Sequence, residues 1–169
     1  MSSSLTSTFE QGLERHTATW AYTTTDKFDA ALGTQLEEPA IGTPLPIEGI
    51  SLENHPISTS PTPQELEAAQ TGVTAVEFAI AEYGSVVVTS GTEGTEQVSL
   101  YPETHIAVLR ESDILDGMPE AFERLAENVS EGLTSAVLAT GPSATADMGE
   151  LVYGAHGPRN VHVLILTDR

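Results

Sequence analysis

"SAVLATGPSATADMGELVYGAHGPRNVHVLIL" spans residues 135–166, and its reading decides the fold. The runs "SAVLA" (135–139) and "VHVLIL" (161–166) are short, apolar and bounded by turn residues, as buried strands are. Between them lie glycines at 141, 149, 154 and 157, prolines at 142 and 158, a histidine and an arginine. A connection of this length can cross between parallel strands and contain a short helix. The default expectation is therefore a right-handed βαβ unit, both strands in one sheet, with a helix starting near Thr145.

In such a sheet, ligands sit past the carboxyl ends of the strands, where the segment after Ala139 would lie. Thr140, Gly141, Ser143 and Thr145 would bring hydroxyls and close backbone approach to a helix start, whose free amides favour a carboxylate or phosphate. The same residues also read as a cap, with Asp147 complementing the helix dipole. His156 is either a hydrogen-bonding group in a turn or a candidate acid–base. Arg159 either holds an anion or pairs with a nearby carboxylate.

Outward from this stretch, "SVVVTS" (85–90), "QVSL" (97–100) and "HIAVL" (105–109) read as strands, the first two joined by the polar turn "GTEGTE". "MPEAFERLAENV" (118–129) reads as an amphipathic helix with Phe122, Leu125 and Val129 inward. "TPQE" at Thr62–Glu65 is a capping box with proline at the first helical position. "TAVE" at Thr74–Glu77 repeats the spacing and predicts a short helix ending at Gly84. Glu82, just before the next strand, could face the crevice or solvent. Further upstream, residues 39–63 hold six of the ten prolines and read as irregular coil with two very short strands. "TATWAYT" (17–23) reads as a strand and Phe28, Ala31, Leu32 and Leu36 as one helical face; Phe9–His16 form a short helix after a loose "MSSSLTST". The expected organisation is one α/β domain over 1–169, with a variable, partly irregular part over 1–62 and the α/β core over 63–169.

The chain has 169 residues, long enough for one substantial core. Twenty-five acidic residues face six basic ones, of which Lys27 is the lysine, for a net charge of −19. Self-repulsion on that scale opposes compaction at low salt and is screened at molar salt, where the Debye length is roughly 3 Å. Such a surface fits a salt-accumulating, halophilic cytoplasm. It argues against nucleic acid and anionic membranes as partners. Cysteine is absent, which excludes disulfides, thiolate metal sites and cysteine-ligated iron–sulfur clusters within these residues. The histidines are scattered at 16, 55, 105, 156 and 162, so no metal site is expected. No leader pattern or long apolar stretch is present, and a soluble cytoplasmic protein is expected.

Three segments, "TGVTAVEFAIAEYGSVVV" (71–88), "SLYPETHIAVL" (99–109) and "TGPSATADMGELVYGAHGPRNVHVLIL" (140–166), together resemble the LUD-domain family, and within it the lactate utilisation protein C group. The resemblance implies a three-layer α/β/α fold with a mostly parallel central sheet, related to the NagB/RpiA/CoA-transferase-like group. It implies an accessory role in oxidising lactate to pyruvate beside separate iron–sulfur partner proteins, with no cofactor in this chain. On the residues themselves, ligand contacts would fall on Thr140, Gly141, Ser143, Thr145, Gly84, Ser85 and Arg159, and Asp147, His156 and Glu82 are the candidate catalytic groups should the protein be a stand-alone enzyme. Two departures stand out: Ala144 and the pair Glu96–Gln97 occupy positions where the family commonly has arginine. Each missing guanidinium would weaken an anion site by about 1.5–3 kcal/mol per charged hydrogen bond. The alternatives are a stand-alone enzyme binding small anions, of the sugar-phosphate isomerase or acyl-transfer type, and a non-catalytic homodimer module.

Overall fold

The structure, a computed structural model, describes residues 2–169. The chain begins with α1 (Ser2–Arg15), β1 (Thr19–Thr23), α2 (Phe28–Gln35), β2 (Ala40–Gly42) and β3 (Ile57–Ser58). It continues through α3 (Pro63–Ala68), β4 (Thr71–Ala75), β5 (Phe78–Ile80), β6 (Ser85–Thr89), α4 (Thr95–Leu100) and β7 (Thr104–Arg110). The last third is β8 (Ile114–Leu115), α5 (Met118–Ser130), β9 (Ala136–Ala139), β10 (Ala144–Asp147), β11 (Glu150–Tyr153) and β12 (Asn160–Leu166).

Six strands form a central sheet in the order β1-β12-β7-β4-β2-β3, and every neighbouring pair is parallel. Parallel strands need cover on both faces. On one face Ile106, Val108, Leu164, Leu166 and Val73 meet Phe28 and Leu32 of α2, together with Ile47 and Leu52 from the proline-rich segment. On the other face Ala107, Leu109, Val163 and Ile165 meet Phe9 and Leu13 of α1 and a second sheet. That second sheet, in the order β8-β5-β6-β9, shows its Ala79, Val86 and Val88 face to the central sheet. Its opposite face packs Phe78, Ile80 and Val87 against Ala121, Met118 and Leu125 of α5. The mixed α/β class with a mostly parallel central sheet is thus as expected, with a second sheet interposed beneath α5. No helix among the described residues is long and apolar enough to cross a membrane.

Several local expectations are corrected. No helix or crossover joins β9 to β12: β9 runs antiparallel to β6 in the second sheet, while β12 lies in the central one. Residues 144–153 form a hairpin instead, turned by Met148 (φ 49°) and Gly149 (φ 85°). Two consecutive left-handed residues are the signature of a tight hairpin turn that matches strand twist. Residues 74–84 are not a helix. Thr74 lies in β4 and Phe78–Ile80 in β5, both stretches buried, and ladder pairing outweighs the local capping pattern. "QVSL" is helical, its Val98 buried against Ile41 and Ala69. α5 forms where expected but is rotated. Ala121 is fully buried while Phe122 and Val129 are 63% and 60% exposed, because the small residue lets the helix lie close on the sheet. α1 starts at Ser2, replacing the expected loose end. The capping box at Thr62 and Glu65 and the two short strands at 40–42 and 57–58 are present as expected.

Candidate functional site

The segment after β9 lies over the amino ends of β7 and β12, not over the carboxyl edge of the central sheet. The Ser143 amide donates to the Pro158 carbonyl (2.8 Å), the Gly154 amide to the Ser143 carbonyl (2.9 Å), and the Asn160 amide to Glu103 at the start of β7 (3.0 Å). These bonds fold 140–159 back on itself and close one side of a hollow of about 210 Å³. Its walls include Gly141, Ser143 and His156 from this segment, Ser99 and Leu100 from the end of α4, and His105 from β7. Gly141 (φ +71°) is required here: a Cβ would lie 2.5 Å from the His16 carbonyl oxygen.

His105 is the chemical centre of this hollow. It is 1% exposed, and its Nε2 is 2.9 Å from Thr74 Oγ1 in the neighbouring strand. Burial pushes its pKa down to about 4, so the ring is neutral at physiological pH and keeps one donor and one acceptor nitrogen. Sequence reasoning passed over His105 as one of several scattered histidines. Its signal was phase: residues 105, 107 and 109 of one strand point to the same face, and the latter two are core. His162, in β12, is likewise held neutral by burial; its Nδ1 is 2.7 Å from Thr19 Oγ1, and its Nε2 has no partner among the described residues.

The other sequence-predicted residues lie elsewhere. Thr140 Oγ1 and Ser85 Oγ are 2.6 Å apart, and Gly84 packs against Gly12 of α1 so closely that a Cβ on Gly12 would lie 2.5 Å from the Gly84 nitrogen. The Glu82 carbonyl accepts from Arg15 (2.9 Å) at the same end of α1. Thr145 is in the hairpin, paired with Val152, and the side chain of Asp147 lies outside the described residues. Arg159 turns away from the hollow, reaching Glu103 at 3.6 Å and lining a separate surface depression with Thr17, Pro142 and Tyr153. Among the described residues, no arginine or lysine lines the His105 hollow. It therefore offers hydroxyls, a neutral imidazole and an apolar wall, and no fixed positive charge. Among the described residues, no group of three or more histidine, aspartate or glutamate side chains is arranged to hold a metal ion.

Comparison with known proteins fits this architecture. Lactate utilization protein C of Bacillus subtilis (strain 168) is 36% identical over 110 residues, covering 63% of this chain and 46% of that protein. The E. coli K12 protein YkgG, described as uncharacterized, is 33% identical over 139 residues, covering 80% of this chain and 60% of that one. The matched region thus spans about half the length of these relatives. The crystal structure of a DUF162 family protein from Deinococcus radiodurans superposes with a TM-score of 0.78 over 99% of both chains at 21% identity, a likeness of fold. The LUD domain family pattern matches residues 6–166, nearly the whole chain, and the chain belongs to that family.

Proposed function

We propose that this chain is an accessory subunit of a lactate utilisation system, working beside separate iron–sulfur proteins. The observation that carries the reading is convergence. All three family-like segments meet at one place: Thr74 from the first binds His105 from the second, and Gly141, Ser143 and His156 from the third close the hollow around it. The sequence relatives named lactate utilization protein C supply the biological setting. Because the chain has no cysteine, thiolate-held clusters of such a system would belong to other chains.

The β10–β11 hairpin supports a role beside a partner. Among the described residues its strands pair only with one another, and Leu151, Val152 and Tyr153 are 59%, 39% and 42% exposed. A lone two-stranded ribbon is marginal in water, and an apolar one is stabilised by something laid against it. A net charge of −19 disfavours a second copy as that occupant at low salt and favours a chain with a basic rim. The test is co-purification in high salt with the iron–sulfur lactate-utilisation proteins of the same cell, paired with deletion of the gene. The expected result is a stable complex and slowed growth on lactate; unimpaired growth on lactate would refute the role.

A further inference from the structure

We infer that a second cleft, at the opposite edge of the central sheet, is a binding site for a small organic carboxylate, with Arg110 as its cation. The topology picks out the place. After β2 the chain moves outward to β3, whereas after β4 it moves the other way, through the second sheet to β7. β2 and β4 are neighbours, so the connections leaving their carboxyl ends diverge and open a crevice between them, the usual ligand position in an open parallel sheet.

A cavity of about 350 Å³ occupies that crevice. Thr43 follows β2, Val76 and Glu77 follow β4, Arg110 ends β7, and Thr89 and Thr95 close it from β6 and α4. The segment Pro44–Ile47 supplies an apolar wall. Volume and lining fit a small metabolite with an apolar side and one charged group.

The charges are arranged so that Arg110 can serve an incoming anion. Its Nε donates to Asp113 Oδ2 at 2.5 Å, which fixes the plane of the guanidinium. Asp113 is shared with Arg124 Nη2 at 3.5 Å, and Arg124 Nε lies 3.9 Å from Glu77, which also accepts from Asn128 Nδ2 at 3.3 Å. Arg110, Asp113, Arg124 and Glu77 thus alternate in sign along one chain that sums to zero. Of the two carboxylates lining the cleft, Glu77 is already engaged by Arg124 and Asn128, and Glu93 is exposed to solvent. Among the described residues Arg110 is held through its Nε alone, its side chain is 42% exposed, and it is the only cation lining the cavity. A guanidinium fixed at one edge presents its remaining N–H groups as a fork, the geometry that pairs with a carboxylate. The threonines at 43, 89 and 95 can hydrogen-bond a hydroxyl or keto oxygen next to it.

The site deepens the lactate reading in that lactate belongs to this ligand class, and it rests on the geometry of the cleft. The test uses the full chain and four probes: L-lactate, propionate, and their uncharged amides lactamide and propionamide. Binding is followed by titration calorimetry and by backbone amide NMR shifts. The acids should bind saturably, shifting Thr43, Val76 and Thr95, and the amides should bind at least about 10-fold more weakly. Arg110→Gln should weaken the acids about 10- to 100-fold without lowering the affinity for the amides, and Arg159→Gln should change nothing. Should Arg110→Gln fail to fold, Arg110→Lys must still weaken the acids several-fold, because it keeps the charge and loses the fork. Equal binding of acid and amide, wild-type affinity in both Arg110 variants, absence of saturable binding, or shifts confined to Gly141 and Ser143 would each overturn the inference. Carboxylate binding at Arg110 in a protein dispensable for growth on lactate would leave the site standing and remove the lactate role.

Discussion

Protonation of His105 should cost this fold a large part of its stability. The ring is buried between the central sheet and the second one, hydrogen-bonded through Nε2 to Thr74, and has its pKa pushed down from 6.5 to about 4 by burial. In the unfolded chain it titrates near 6.5, so between that pH and about 4 the unfolded state binds a proton that the native state does not. Stability therefore rises with pH across this window and is lost as pH falls through it. The full gap corresponds to about 3 kcal/mol, a large fraction of the stability of an ordinary domain. Acidification also neutralises many carboxylates and relieves self-repulsion, so the raw curve mixes two effects of opposite sign. The comparison that isolates His105 is the wild-type protein against His105→Gln, whose amide can still meet Thr74. Urea unfolding of both, from pH 7 to pH 4 at fixed high salt, should show the difference shifting in favour of the variant by about 1–3 kcal/mol. Carboxylates and His162 titrate in both proteins and cancel. Parallel stability curves through the window would refute the argument, since they would mean that His105 accepts its proton in the folded state as readily as in the unfolded one.

Other consequences are as direct. Gly72→Ala would put a Cβ 2.2 Å from the Val98 carbonyl oxygen, a clash between β4 and α4 backbones; the melting midpoint should drop by an amount equivalent to about 2 kcal/mol or more. Replacing Leu151 and Tyr153 by serine should leave the melting temperature within a few degrees of wild type and abolish co-purification with the iron–sulfur proteins, because both side chains are more than 40% exposed. Raising KCl from about 0.1 M to 2 M should raise the melting temperature, and most of the gain should appear at the low end, as the Debye length falls below typical surface charge spacings.

The strands and helices that announced themselves in the sequence were those whose local pattern and tertiary role agree. β6, β7 and β12 are β-branched, apolar and buried, and α3 begins at a capping box that forms as spelled. Where the reading failed, long-range contact overrode the local pattern. Thr74–Glu77 has capping-box spacing, yet Thr74 is needed beside His105 in a buried ladder, and the Glu77 amide pairs with Val87. "QVSL" alternates like a strand, but Val98 fills a gap over Ile41 and Ala69 that a helix reaches better. The glycine-rich connection hid a Met-Gly turn because methionine rarely accepts a positive φ, so Gly149 alone did not point to a hairpin. Of the site, Gly141, Ser143 and His156 were legible as loop chemistry. His105 and Arg110 were not, since each becomes special only through neighbours 31 residues and three residues away, respectively.

The order of the central sheet bears on how the molecule is made. β12 is the last of the described strands in chain order, yet it sits inside the sheet, flanked by β1 on one side and β7 on the other. While the ribosome is still producing residues before 160, the early strands have no route to join into one ribbon, and two bare edges wait with their amides and carbonyls unmet. Completion hangs on a keystone delivered late, which makes nascent chains vulnerable to sticking to one another and gives a cell reason to shield them until that strand slots home.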